Sequence, residues 1–135
     1  VFKTPGHLND HICFFERKQK ILFCGDVLFR FGCGRIFVGS YEELYNSMKI
    51  LKTLPLDTDI YCTHEYTTQN LAFCESNGLV DSRNFSNVEK DHLSQIPTLP
   101  VKLGFELKYN PFLKSDSLAE FTKWRLLRNE FIWKK

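Results

Sequence analysis

Apolar and polar positions first fall into a clear pattern over residues 11–25. Residues 11–15 and 21–24 are short β-prone runs, and Glu16-Arg17-Lys18-Gln19-Lys20 separates them with charge. The pattern predicts an antiparallel hairpin with a charged turn. Gly32, Gly34 and Gly39 then punctuate residues 29–40, which predicts a loop with unusual backbone angles. Ser40 followed by Glu42 and Glu43 predicts a capped helix start, where carboxylates complement the exposed N–H groups. Leu44, Met48 and Leu51 recur at helical spacing and give that helix an inward stripe. Pro55 ends it, residues 59–62 predict a further strand, and His64 stands at its exit. Another helix starts at Thr67 or Thr68 and stops at Asn77-Gly78.

Beyond residue 78 the pattern changes. Residues 79–135 predict no strand but two helices, roughly 86–95 and 117–133, joined by a proline-marked connection over 97–111. Leu118, Phe121, Trp124 and Leu127 step by three along the last helix and are expected to face a core. The chain therefore divides into a β-rich part, 1–77, and a helical part, 78–135, of mixed α/β (α+β) class. Val1 already stands inside a strand-like run, so the chain is expected to be part of a longer one.

Composition narrows the function classes. A chain of 135 residues, 43% hydrophobic and with 13 phenylalanines, has the length and apolar content for a packed core. A formal charge of +2 without a Lys/Arg run argues against nucleic acid as a partner. No stretch is long and apolar enough for a membrane span, and no secretory leader pattern is present. The 5 cysteines are odd in number and never spaced C-x-x-C, which suits reduced thiols and predicts a cytoplasmic location.

Candidate chemistry lies at strand exits. Thr4-Pro5 and Gly6 precede His7: proline fixes φ, glycine permits a sharp exit, and the imidazole is presented at a loop edge. Asp26 ends the run Cys24-Gly25, and His64-Glu65-Tyr66 ends the 59–62 strand. Two imidazoles and one carboxylate suit a divalent ion, and a carboxylate can bridge two. Taken singly, a histidine is more often structural, and Asp26 is a ligand or a cap. Glu65 is either a carboxylate backing the ligands or a charge at a helix entry. His11 reads as a supporting or core histidine, and Cys33 as a small residue in a tight loop. Arg125 and Arg128, three apart, share one side of a helix; spacing alone makes them a solvated basic face near its C-terminus.

Together these segments carry a resemblance. Thr4-Pro5-Gly6-His7, His11 to Phe15, Cys24-Gly25-Asp26-Val27-Leu28-Phe29, Gly32-Cys33-Gly34-Arg35, Gly39, His64-Glu65-Tyr66-Thr67, Asn70-Leu71 and Asn110-Pro111-Phe112-Leu113 occur in family order. The chain resembles the C-terminal portion of the glyoxalase II (hydroxyacylglutathione hydrolase) family of the metallo-β-lactamase superfamily. The resemblance implies the second half of an αββα sandwich followed by a helical extension that binds substrate. It implies His7, Asp26 and His64 as metal ligands, Asp26 bridging, and two divalent ions per intact enzyme, zinc first, with iron or manganese as alternatives. It assigns Arg35, Phe37, Tyr66, Arg125 and Arg128 to glutathione binding. It implies hydrolysis of S-lactoylglutathione to lactate and glutathione by a metal-bound hydroxide, as in methylglyoxal detoxification, with no further catalytic side chain in this chain.

The family's His-x-His-x-Asp-His cluster is absent from this sequence, so a separate N-terminal half is an expected partner and the chain alone is expected to be inactive. The sheet face that such a half would cover is expected to leave Phe14, Phe15, Ile21, Phe23 and Tyr61 under-packed. Leu8, Val38 and Val101-Lys102 depart from the family pattern, and Phe37 replaces a tyrosine that some members carry. Two rival readings remain: a catalytically inactive relic or fragment that binds glutathione conjugates, and another metallo-β-lactamase-fold enzyme such as a persulfide dioxygenase.

Overall fold

The computed structural model of the chain describes residues 1–134. Its principal sheet runs β1 (Phe2–Lys3), β2 (Ile12–Glu16), β3 (Ile21–Gly25), then β6 (Asp59–Cys62) and β7 (Val101–Lys102) in that spatial order. The expected hairpin forms from β2 and β3, with Phe14 opposite Phe23 and Glu16 opposite Ile21. β3 and β6 pair in parallel, which requires a crossover. The crossover carries a two-stranded ribbon, β4 (Leu28–Phe29) with β5 (Gly32–Cys33), and the helix α1 (Tyr41–Leu51). Ser40 and Glu43 close a reciprocal capping box at the start of α1. α2 (Thr67–Ser76) follows β6.

The two faces of the sheet differ. Cys13, Leu22, Cys24 and Ile60 are buried and join Leu44, Met48 and Leu51 of α1 in the core. Residues on the opposite face stay in solvent: Phe14 is 52% exposed, Phe23 50% and Tyr61 39%. The rings of Phe23 and Tyr61 lie 5.6 Å apart on neighbouring strands. Phe15 and Ile21, also expected to lack cover, are half-buried.

The helical part departs from the sequence pattern in several places. It contributes a strand, since β7 pairs antiparallel with β6 through Ile60 and Val101. The connection over 97–111 holds this strand and α4 (Leu103–Tyr109), and α5 (Pro111–Lys114) follows. A 3-10 turn, Ser82–Phe85, leads into α3 (Ser86–Leu93), and the last helix, α6, spans Leu118–Glu130. The loop expected over residues 29–40 contains β5. Two-residue strands and four- to seven-residue helices carry too little periodicity to be seen in sequence; tertiary contacts set them.

Asn110 supplies one such contact. Fully buried, it accepts from the Phe112 N–H to cap α5 and donates Nδ2 to the carbonyls of Phe29 and Gly32 and to Glu106 Oε2. Glu106, also fully buried, accepts the Phe31 N–H at 2.9 Å. Two side chains from the C-terminal region thus brace the β4–β5 ribbon. Burial pushes the Glu106 carboxyl up to about 7, against the opposing pull of hydrogen bonds from Asn110 and Phe31 and the charge of Arg30.

Candidate functional site

Glycine geometry presents the first two candidate ligands. Gly6 has φ of +134°, and a Cβ there would stand 2.5 Å from Leu44, so only glycine lets the chain turn against α1 and release His7. Gly25 has φ of +52°, and its absent Cβ leaves room for His11, whose Nε2 would lie 2.8 Å from such an atom. His11 uses that space. Its Nε2 accepts the Asp26 N–H at 3.3 Å, so Nδ1 carries the proton and donates to the Thr4 hydroxyl at 2.9 Å. Burial, followed by the proximity of His7, lowers the pKa of His11 and favours this neutral form. The supporting role expected of His11 is visible in these bonds.

The ligand candidates face one another only in part. His64 Nε2 lies 3.4 Å from Asp26 Oδ1, and the Thr63 hydroxyl lies 3.4 Å from Asp26 Oδ2. His7 donates Nδ1–H to the Arg35 carbonyl at 2.8 Å, which makes Nε2 the nitrogen that a neutral ring would offer to a cation. Among the described residues, no three His, Cys, Asp or Glu side chains come close enough together to hold an ion. The donor types and the His7 tautomer fit a divalent metal; the number of gathered donors does not make a closed site.

Aromatic rings orient both imidazoles. Tyr66 stacks on His64 with centroids 4.8 Å apart and planes at 18°, and Phe29 packs against both. Phe37 meets His7 edge-on at 5.0 Å. Phe37 therefore touches the site through its ring, and no hydroxyl is needed for that contact.

Every residue singled out from sequence as a ligand or substrate contact lines one cleft of about 590 Å³. Arg35, Arg125 and Arg128 line it together with the imidazoles, and the Arg35 main chain lies against His7. Arg125 is only 3% exposed; it donates Nη1 to the carbonyls of Cys33 at 2.6 Å and Gly34 at 3.2 Å, and Nε to Asn129. Arg128 donates Nε to Asn70 Oδ1, while Asn70 donates to the Arg30 carbonyl. Burial, then the like charge of Arg125 and, more weakly, Arg35, lowers the pKa of Arg128. Burial also raises the Cys33 thiol against the pull of Arg125, in keeping with a packing role for that residue. Cleft residues that sequence reasoning passed over are Phe29, Gln69, Asn129 and Phe131. Asn129, four residues beyond Arg125 on the same helix face, had a readable signal; the others had none.

The last helix also corrects an expectation. Phe121 and Arg125 are its buried residues, whereas Leu118 and Leu127 are exposed. A step of three drifts around a 3.6-residue turn, and the inward pair lies four apart.

Comparison with known proteins completes the picture. Residues 1–64 match the metallo-beta-lactamase superfamily model, and residues 65–131 match the model for the hydroxyacylglutathione hydrolase C-terminus. The chain is 40% identical to a hydroxyacylglutathione hydrolase of Pelagibacter ubique over 97% of its own length and 56% of the relative's. It is 39% identical to one from Bdellovibrio bacteriovorus, over 96% and 56% respectively. The chain thus spans little more than half the length of these relatives. Among solved structures, the BLEG-1 B3 metallo-beta-lactamase overlays with a TM-score of 0.55 at 26% identity, over 84% of this chain and 40% of that one. ETHE1 from Myxococcus xanthus overlays with a TM-score of 0.63 at 24% identity, over 98% and 45%, and shares the fold. No helix among the described residues is long and apolar enough to cross a membrane.

Proposed function

Because the chain belongs to the hydroxyacylglutathione hydrolase family of the metallo-β-lactamase superfamily, we propose that it forms the substrate-binding half of a metal-dependent thioester hydrolase acting on glutathione thioesters such as S-lactoylglutathione. The observation that carries this reading is the composition of the cleft, which gathers two imidazoles, a carboxylate and three arginines along one lining. In this reading residues 1–77 carry His7, Asp26 and His64 together with one wall, and residues 78–135 carry the opposite wall; Lys135 lies outside the described residues.

His7 through Nε2, Asp26 through its carboxylate and His64 through Nε2 would hold the divalent metal, zinc in the first instance, which supplies Lewis acidity toward the thioester carbonyl. The rest belongs to this chain's own residues. Arg128 and Arg35 offer planar donors that suit the carboxylates of a glutathione moiety. An anion there relieves the mutual repulsion of the arginines. Arg125 gives Nη1 to the glycine loop and holds Arg35 and the ribbon in place. Tyr66 and Phe29 wall the cleft beside His64 and exclude water from it. The departing thiol has an ordinary pKa of about 8.5, so no acid in the cleft is needed to release it.

The remaining ligands we assign to a partner segment corresponding to the other half of the relatives, seated on the exposed face of Phe14, Phe23 and Tyr61. The relatives' name and the match of residues 65–131 favour this reading over a dioxygenase or a relic. The test mixes the purified chain with the N-terminal half of the Pelagibacter relative and follows loss of S-lactoylglutathione. Chelator-sensitive turnover is expected from the mixture and none from the chain alone, which after dialysis should retain at most one weakly held ion. Two tightly retained metal equivalents, or full turnover without the partner, would refute the division of the site.

A further inference from the structure

Glu65 lies between His64 and Tyr66 in sequence, and its carboxylate turns away from both. It turns to Thr98, in the segment just before β7. One oxygen accepts the Thr98 N–H at 2.9 Å and the other the Thr98 hydroxyl at 2.6 Å. Thr98 is buried, and each of its polar groups is in use. Its carbonyl accepts Arg30 Nη1 at 2.8 Å, and its hydroxyl oxygen lies 2.6 Å from that of Thr67. The Thr98 hydroxyl has one proton and gives it to Glu65, so the Thr67 hydroxyl must donate to Thr98. The result is a one-way chain of hydroxyls, from the first residue of α2 through Thr98 into the carboxylate of Glu65.

Residues 30, 65, 67 and 98 therefore meet at a single knot tying the β4–β5 ribbon, the exit of β6, the start of α2 and the approach to β7. α2 has no side-chain cap at its N-terminus, so the knot supplies the fastening that a cap would otherwise give this turn. With each oxygen taking a donor from Thr98, the carboxylate is tied to that residue as an anchor.

We infer that Glu65 is a positioning residue, clamped to Thr98 so that the loop bearing His64 and Tyr66 is held in its stacked geometry. The inference deepens the reading of the cleft given above, but its first consequence concerns the metal-free chain. The stacking of Tyr66 on His64 places the imidazole protons in the ring current of the phenol, which gives them displaced proton resonances. Loosening the clamp should move those resonances toward their unstacked positions and leave His7, packed against Phe37, unaffected.

The experiment records the imidazole proton spectrum of the metal-free chain for wild type, Glu65→Ala, Glu65→Gln, Thr98→Val and Thr98→Ser, and then titrates each with Co²⁺. Glu65→Ala and Thr98→Val should each shift the His64 signals and weaken Co²⁺ binding by about 10–100-fold. The double variant should do no worse than either alone, because the pair acts as one unit. Thr98→Ser keeps the hydroxyl and should restore the wild-type spectrum; Glu65→Gln, which loses one of two acceptors, should fall between. Unchanged His64 signals in Glu65→Ala, or equal shifts at His7 and His64, would overturn the clamp. If wild type binds no Co²⁺ while the spectra move as stated, the clamp stands and the metal reading falls. If Co²⁺ binds and Glu65→Ala binds it as tightly, the clamp falls and the metal reading stands. A variant that loses the dispersed methyl signals of the core has unfolded; the Thr98→Ser and Glu65→Gln spectra then decide, and wild-type His64 signals in Glu65→Gln count against the clamp.

Discussion

A guanidinium sealed from water has to give its hydrogens to something, and at Arg125 the takers are main-chain carbonyls of the glycine loop. Removing it leaves the Cys33 carbonyl, and with it that of Gly34, without this donor, and each buried acceptor left unpaired costs about 1–3 kcal/mol. Arg125→Ala should therefore destabilise the chain by roughly 2–4 kcal/mol in urea unfolding. Arg125→Lys should recover less than half of that, since an ammonium lacks the planar fork; full recovery by lysine would show that charge alone matters. At this scale strand exits and family order mark His7, Asp26, His64 and the arginines in the sequence, and one cleft gathers them. The sequence was not legible for what Arg125 holds. A pairing between residues 92 positions apart leaves no local trace, and spacing alone made it a solvated charge. Nor does any pattern reveal that Glu65 binds Thr98, which is why two readings of it stood side by side.

Among the elements, those with room for a period were readable and the rest were not. The β2–β3 hairpin, α1 with its capping box, β6 and α2 stand where alternation, caps and breakers put them. β7 is placed by its pairing with β6, and α4, α5 and the β4–β5 ribbon are tied together by Glu106 and Asn110, whose bonds reach back across more than half of the chain. That brace has a measurable pH signature. Glu106 takes up its proton at about 7 in the folded chain against an ordinary 4.5, so between those values the folded state binds the proton that the unfolded state has released. Its contribution is thus most favourable at low pH and is lost as pH rises from about 4.5 to 7, by up to about 3 kcal/mol. Arg30, the charged neighbour that opposes this, is itself half-buried, and its Nε has no hydrogen-bond partner among the described residues. Glu106→Gln keeps an oxygen for the Phe31 and Asn110 donors and cannot ionise. The stability difference, variant minus wild type, should grow from pH 5 to pH 8; a difference independent of pH would contradict the buried, titrating carboxyl.

For the whole molecule, the sheet is the decisive surface. A core forms on its helix-covered face, while the aromatic residues of the other face stay in water. Covering a Phe or Tyr side chain that is half in solvent contributes about 1–2 kcal/mol, so several together provide a drive toward association. The chain alone should elute larger than a monomer on size exclusion, and Phe23→Lys should return it to monomer size; a wild-type chain that is monomeric at all concentrations would show that the face is stable in solvent. Sequence anticipated the missing cover on Phe14, Phe23 and Tyr61, but Phe15 lies on the core side of its strand, opposite Leu22, and Ile21, on the same face as Phe23, is half-buried. The grip of Arg125 on Cys33 also has a meaning in time. During synthesis the N-terminal end emerges first, and the hairpin of residues 12–25 can form from neighbours, since short loops close readily. The glycine loop cannot take its final shape until residue 125 has left the ribosome. The cleft is therefore finished last, and a nascent chain halted anywhere before α6 presents a formed hairpin beside an unset binding loop.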